Sequence, residues 1–121
     1  MQEPWQGDTP IYLQLRDRVV AMILDGELQV GEAIPSVRQI AADYRINPLT
    51  VTKAYEGLAE ENIVEKRRGL GLFVTAGARE QLQTKLREQF LQEEWPRVLK
   101  RITQLGLSPA DLLQSTSTSE A

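Results

Sequence analysis

The most informative segment of the sequence is Ile34–Leu58, IPSVRQIAADYRINPLTVTKAYEGL. It contains two short helical patterns, each with its own start signal. Ser36, with Gln39 three positions later, begins the first, and Asn47 followed by Pro48 begins the second. Almost no loop separates the patterns, so the two helices must cross at a steep angle. The spacing therefore predicts a helix-turn-helix.

The second helical pattern separates an apolar side from a mainly polar one. At about 100° per residue, its side chains fall into two groups on opposite sides of the helix. The inward group is Val51, Ala54, Tyr55 and Leu58, and the outward group is Leu49, Thr52, Lys53 and Glu56, with Thr50 on the flank. In a DNA major groove, Leu49 could contact a thymine methyl while Thr and Lys reach base edges and phosphates. The alternative is that Leu49 packs against a neighbouring element, since isolated apolar residues are common on surfaces.

A longer helix is predicted before this stretch. Thr9 is its expected N-cap, Pro10 its first residue and Gly26 its stop. Its expected buried stripe is Ile11, Leu15, Val19 and either Met22 or Ile23. The connection over residues 27–35 could add one small strand. Residues 1–8 are predicted to form an arm in which Trp5 either docks on the domain or stays mobile with the terminus.

A β-hairpin is predicted after the second helix. Two β-prone segments, Ile63–Arg67 and Leu72–Thr75, flank RGLG at residues 68–71, whose glycines can adopt the positive φ of a hairpin turn. The basic triplet at residues 66–68 suits contact with a DNA backbone or a minor groove. The same glycines are weak support for a nucleotide loop, because no strand and helix surround them in the required order. We interpret the hairpin as a wing.

The chain beyond the hairpin is helical in pattern. Ala78–Glu94 is predicted as one helix, and Pro96 either kinks it or starts a new helix that runs up to Gly106. Its apolar stripe contains Leu82, Leu86 and Phe90 and continues with Val98, Leu99, Ile102 and Leu105. All of these except Val98 are candidate dimerisation residues. The stripe could fold back on the rest of the chain, but we favour a homodimer interface, because one or two lone helices have little else to bury. A short helix follows from Ser108, and residues 114–121 are predicted to be a disordered tail.

Composition excludes several chemistries. The 121 residues include no cysteine and no histidine, so a disulfide, a Cys/His zinc site, a thiolate nucleophile and a His-based triad are impossible. The adjacent pairs Glu60/Glu61 and Glu93/Glu94 point about 100° apart on a helix and do not converge on one substrate atom. We therefore expect no enzyme, cofactor or metal. The net charge of −3 argues against indiscriminate nucleic-acid binding but not against a local basic footprint. Without a signal-peptide pattern or an apolar run that could span a bilayer, a cytoplasmic protein is expected.

These residues together resemble the GntR family of bacterial transcription regulators, and the resemblance covers about residues 9–75. The matching segments are PIYLQL at Pro10–Leu15, Gly26, Leu28, Gly31, IPSVRQIA at Ile34–Ala41, TVTKAYEGL at Thr50–Leu58 and GLGLFV at Gly69–Val74. The sequence of Asn47–Tyr55 and the shortness of the C-terminal part are most similar to those of the YtrA subfamily. The resemblance implies a winged helix-turn-helix, with a homodimer that represses transcription by binding an inverted repeat of double-stranded DNA.

The resemblance also assigns roles to individual positions. Arg38 matches an arginine that contacts DNA in the family, Thr50 matches the threonine before the buried aliphatic residue, and the wing glycines match Gly69 and Gly71. Many members carry a basic residue where this chain has Pro48 or Thr52, so base readout should depend on Asn47, Leu49 and Lys53. The complete set of candidate DNA-binding residues is Ser36, Arg38, Asn47, Leu49, Thr50, Thr52, Lys53, Lys66, Arg67, Arg68, Gly69 and Gly71.

The predicted architecture is mainly α with a small β-hairpin. An arm (residues 1–8) precedes a winged helix-turn-helix domain (9–76), helices for dimerisation (77–113) and a tail (114–121). The leading functional hypothesis is a sequence-specific DNA-binding repressor. Because YtrA-like regulators often adjoin transporter genes, a transporter operon is its expected target. The alternative is a winged-helix adaptor that binds another protein without DNA. No constellation of residues marks a site for a small-molecule effector.

Overall fold

The computed structural model describes Trp5 and residues 7–119, with side chains described as far as residue 115. The elements in this range are α1 (Ile11–Leu24), α2 (Val37–Tyr44), α3 (Pro48–Glu60), β1 (Val64–Arg67), β2 (Gly71–Val74), α4 (Ala78–Gln89), a π-helical segment (Phe90–Glu94), α5 (Trp95–Gln104) and α6 (Pro109–Ser119). They form two compact units, which divide between Gln83 and Thr84. The predicted combination of helices and one hairpin is confirmed.

The first unit has one hydrophobic core, to which α1, α2, α3, the hairpin and the start of α4 contribute. All four residues of the predicted inward group of α3 are buried, and Val51, Ala54 and Leu58 are 0% exposed. The other core residues include Leu15, Val19, Ile23, Leu28, Ile34, Ile40, Ile63, Val64, Val74, Ala78 and Leu82. Because α3 packs at the centre, its opposite side is the one that remains free.

Helix α1 begins one residue later than predicted. Pro10 has a φ of −55° and a ψ of 143°, which is extended, and its carbonyl accepts hydrogen bonds from the backbone N–H of Leu13 and Gln14. Pro10 is therefore the flanking residue and Ile11 the first helical one, and no side chain caps this end. Ile11 was also expected in the buried stripe, but it is 38% exposed, because the first turn extends past the edge of the core.

Trp5 docks on the first unit rather than remaining free. Its ring lies edge-on to Tyr44 at 5.5 Å between centroids, and the Arg18 guanidinium lies 5.2 Å from its centroid. Aromatic and cation–π contacts of this kind hold a terminal segment against a surface. The other residues of the predicted arm that precede Gly7, namely 1–4 and 6, lie outside the described residues.

The hairpin pairs antiparallel, with Val64 opposite Val74 and Arg67 opposite Gly71. The small strand expected over residues 27–35 is reduced to a single bridge between Ala33 and Phe73. Backbone hydrogen bonds from Gly31 N to Val74 O and from Ile34 N to Leu72 O, both 2.9 Å, flank that bridge. The connection before α2 is therefore fixed directly to the second strand of the wing.

Helix α4 belongs partly to the first unit, so the predicted boundary at residue 76 is too early. Ala78 and Leu82 lie in the first unit's core. Gln81 donates from Nε2 to the backbone oxygen of Glu61 at 2.8 Å, and the Glu61 carboxylate pairs with Arg16 of α1. These contacts join the first turns of α4 to the C-terminal end of α3 and to α1.

Pro96 is the second residue of α5, which directly follows the π-helical segment Phe90–Glu94. Proline has no N–H, and its ring clashes with the carbonyl four residues earlier in a regular α-helix. A wider π turn relieves that clash. The backbone angles remain helical at Gln89 and at Trp95, so the proline is accommodated within a helical run.

The predicted disordered tail is wrong for residues 114–119, which continue α6. Asp111 lies in the first turn, where a negative charge complements the helix dipole. Once a helix has started, each further residue adds one backbone hydrogen bond, and serine and threonine reduce helix stability only modestly. Residues 120 and 121 lie outside the described range.

Candidate nucleic-acid interface

The first turn of α3 is held at the surface by a cap and a tight turn. Asn47 Oδ1 accepts a hydrogen bond from Leu49 N at 2.9 Å, and Pro48 is the first helical residue. The turn itself depends on Arg45, whose φ of 54° is left-handed. Its N–H donates to Ala41 O, so it closes the end of α2 without a glycine.

The outward side of α3 is less uniform than its sequence pattern predicts. Leu49 is 75% exposed, so the alternative in which it packs on a neighbouring element of the described structure is wrong. Lys53 and Glu56 are exposed, as predicted. Thr52 was expected on the same side but is half-buried, as is Thr50 on the flank. Only part of each threonine is therefore available to a ligand.

Lys53 contacts an aromatic ring on α1. Its Nζ lies 4.0 Å from the centroid of Tyr12, a cation–π contact that orients the ammonium group. Periodicity alone did not identify Tyr12 as part of this surface, although it lies within the PIYLQL segment. The side chain of Lys53 is therefore positioned by the packing of α1 against α3.

The N-terminus of α2 presents a cap and an arginine. Ser36 Oγ accepts a hydrogen bond from Gln39 N at 3.0 Å, as the predicted cap requires. Arg38 is exposed, and no hydrogen bond or ion pair within Trp5 and residues 7–119 involves it. An unpaired guanidinium beside a helix N-terminus is suited to a phosphate oxygen.

Tyr55 connects α3 to the segment before α2. Its hydroxyl donates to the Pro35 carbonyl at 2.7 Å, and the residue is 3% exposed. Burial raises the pKa of Tyr55 to about 12, because the phenolate would lose its hydration. This hydrogen bond, made from the buried side of α3, holds the two helices of the motif in their crossing geometry.

We predict that the Tyr55 hydroxyl makes folding stability depend on alkaline pH. The pKa is raised from 10.0 in the unfolded chain to about 12 in the folded one, so the folded state keeps the proton longer. The stabilisation is fully present below pH 10 and is lost as the pH rises through 12. Urea unfolding should show wild type losing about 2 to 3 kcal/mol more than Tyr55→Phe over that range. Parallel pH profiles of the two proteins would contradict this role.

The basic residues of the wing are not equivalent. The Arg67 guanidinium lies 4.3 Å from the Phe73 ring and 3.5 Å from Glu65 Oε1, so it is bound to the hairpin itself. Lys66 and Arg68 are exposed and have no ion pair among the residues that the structure describes. Of the three basic residues predicted for the wing, Lys66 and Arg68 are therefore the two whose charge is not paired within the hairpin.

The wing glycines permit the turn. Gly69 has a φ of 77° and Gly71 one of 113°, values that other residues adopt only with strain. Leu70, between them, is 71% exposed. Sequence reasoning missed it as a site residue, although its position between two turn glycines is a signal that could have identified it.

Two of the six predicted dimerisation residues are not available for an interface. Leu82 is 3% exposed because it packs in the core of the first unit, and Ile102 is 8% exposed in the second. The remaining four are Leu86, Phe90, Leu99 and Leu105, which are 36 to 55% exposed. Four further apolar residues of the second unit are exposed but were not among the six predicted dimerisation residues: Leu91, Val98, Leu107 and Leu113.

Among the described residues, no group of three or more acidic side chains could hold a metal ion. No helix in that part of the chain combines the length and the apolar character needed to cross a membrane.

Comparison with known proteins gives consistent matches. Residues 11–74 match the model of a protein family described as "Bacterial regulatory proteins, gntR family". The chain is 31% identical over 118 residues to an uncharacterized HTH-type transcriptional regulator, YhcF, of Bacillus subtilis (strain 168), covering 98% of this chain and 96% of that one. It is 36% identical over 91 residues to the HTH-type transcriptional repressor YtrA of the same organism, covering 72% and 70% of the two chains.

A solved structure shows the same fold. A GntR family transcriptional regulator from Listeria monocytogenes superposes with a TM-score of 0.74 at 25% identity, covering 94% of this chain and 98% of that one. These relatives are transcriptional regulators rather than enzymes. Because the family model spans more than half of the chain, and YhcF is similar over nearly all of it, this protein belongs to the GntR family of bacterial regulatory proteins.

Proposed function

We propose that this protein is a transcriptional repressor that binds an inverted-repeat DNA operator as a homodimer. The observation that carries the proposal is the winged unit, where an unpaired Arg38, the capped first turn of α3 and the free cations of the wing are all exposed. The repressor role is supported by similarity to YtrA. On the same resemblance we propose a transporter operon as the target and the cytoplasm as the location.

Each half-site is read by the first turn of α3 in the major groove. Asn47 caps the helix, Leu49 is exposed in the first turn, and Lys53 is exposed in the second. Leu49 suits contact with a thymine methyl, and Lys53 suits a guanine edge or a phosphate. Arg38 contacts the backbone and fixes the position of α3, while Lys66 and Arg68 contact the phosphates beside the wing.

The second unit supplies the homodimer. Its exposed apolar residues include Phe90, which stacks on Trp95 at 6.2 Å between ring centroids and is 44% exposed. In a two-fold symmetric dimer, the same apolar patch on a second copy of the chain would cover these side chains. The two copies of α3 would then enter successive major grooves about 34 Å apart on an inverted repeat.

We predict that Arg38→Gln weakens operator binding and lowers its dependence on salt. Losing one phosphate contact should reduce the slope of log K against log salt concentration by about 1. It should also weaken binding to all DNA sequences to a similar degree. Fluorescence anisotropy at several salt concentrations would measure this, on an operator located by footprinting the protein's own promoter. Arg79→Gln, which removes the same charge from the start of α4, serves as the control and should keep the wild-type slope.

The proposal fails if wild-type protein binds no inverted repeat more tightly than random duplex.

The exposed Leu49 favours one other candidate function, an adaptor that binds a protein partner through this face of α3. That function would be supported if a partner were captured from nuclease-treated lysate, and if Arg38→Glu and Lys53→Glu left its binding unchanged.

A further inference from the structure

The tip of the wing presents a leucine rather than a cation. Arg68, Gly69 and Leu70 link the two strands, and the backbone N–H of Leu70 donates to Arg67 O at 2.9 Å. This bond and the left-handed Gly69 at the third position are typical of a type II turn, which fixes the backbone of Leu70. The Leu70 side chain is 71% exposed at the end of this rigid turn.

The surroundings of Leu70 distinguish it from an ordinary surface leucine. Arg67, the strand residue before the turn, is held on Phe73 and Glu65 and does not extend over the tip. On the other side, Leu70 borders a cleft of about 180 Å³ that Ser36 and Val37 also line. The apolar tip therefore lies beside the N-terminus of α2, where Arg38 is placed to contact a phosphate.

A minor groove is about 6 Å wide and accepts inserted apolar side chains. Apolar side chains inserted there separate neighbouring base pairs partially and kink the duplex, at a cost of a few kcal/mol per step. That cost is lowest at pyrimidine–purine steps such as TpA and CpA, which unstack easily. An inserted leucine consequently discriminates between DNA sequences without forming a hydrogen bond to any base.

We propose that Leu70 is a specificity-determining residue that enters the minor groove beside each half-site and selects a flexible TpA or CpA step there. The inference rests on the proposed DNA-binding function. It adds a position of readout outside the major groove, and it assigns to the wing a contact that is independent of charge.

The experiment compares wild type, Leu70→Ala and Val30→Ala on matched operators. Val30 is 54% exposed in the same unit and serves as the control for losing an exposed apolar side chain. The base-pair step that the wing contacts is located by minor-groove methylation interference. Operators are then prepared in which this step is TpA, CpA or ApA and the half-sites are unchanged. Anisotropy titrations measure each affinity, and end-to-end energy transfer measures the bend.

Wild type and Val30→Ala should prefer TpA and CpA over ApA by about tenfold, and Leu70→Ala should reduce this preference to about twofold or less. Leu70→Ala should also bend the DNA less and keep the wild-type salt slope, since no charge is lost. A flank preference that persists in Leu70→Ala, or one that is absent from wild type, overturns the inference while leaving operator binding intact. Wild type that binds no inverted repeat overturns the proposed function instead.

Discussion

Replacing Leu58 with alanine is expected to lower the free energy of unfolding of the winged unit by about 3 kcal/mol. Leu58 is 0% exposed at the centre of the core, where α3 packs against α1. Truncating such a leucine removes apolar contact and leaves a cavity that the neighbours fill only partly, which costs about 2 to 5 kcal/mol. A small domain is commonly stable by only about 5 to 15 kcal/mol, so the loss would be a large fraction of the total.

The two tryptophans allow this loss to be measured in one unit. Trp5 packs on the core of the first unit and Trp95 lies in the second, so in a Trp95→Phe background the fluorescence reports on the winged unit. Urea unfolding followed by Trp5 fluorescence would give the stability change. Leu49→Ala is the matched control, because it is the same substitution on the same helix at a residue that is 75% exposed.

Leu49→Ala should change the stability by less than about 0.5 kcal/mol and should instead weaken operator binding. The two leucines would thus separate the folding role of α3 from its binding role. Equal stability losses in both variants would contradict the orientation of α3 described above.

The second large effect is expected from Leu86→Gln combined with Phe90→Gln. These residues are 36% and 44% exposed, so the double substitution should leave the fold of one chain intact and remove apolar area from the proposed dimer interface. Sedimentation should then show monomers. Without the linked second half-site, operator affinity should fall by about 100-fold or more, since linkage raises avidity by about 10² to 10⁴.

The neighbouring exposed residue Arg87 supplies the control for this experiment. Arg87→Gln changes the same helix without removing apolar area, and it should remain dimeric and bind the operator as wild type does. Far-ultraviolet circular dichroism would check that the double variant keeps its helices. An intact dimer in the double variant would remove these two residues from the interface and leave Leu91, Val98, Leu99 and Leu105 as the candidates.

Local signals in the sequence were sufficient for the elements of the winged unit. The caps at Ser36 and Asn47 each satisfy a backbone N–H that the helix itself leaves unpaired, so they mark a start irrespective of the rest of the fold. The spacing of Val51, Ala54, Tyr55 and Leu58 identified the buried side of α3, because helical periodicity determines which side chains share a face. These signals act over three or four residues and can be read directly from the chain.

The tertiary structure decided which side chains are free to act. Leu82 continues the same helical stripe as Leu86, yet the first is covered by the core of the winged unit and the second is not. Lys66 and Arg67 are adjacent cations, but only Arg67 meets an aromatic ring and a carboxylate. The contact of Lys53 with Tyr12 likewise joins residues on different helices.

By itself, the sequence determined the helix-turn-helix, the hairpin and the inward face of α3, because each depends on interactions between near neighbours along the chain. The packing of the whole chain places Leu70 beside the N-terminus of α2 and Leu82 in the core, and neither placement follows from the local sequence. The reason is that exposure and pairing are set by residues distant in sequence, which come together only when the chain packs.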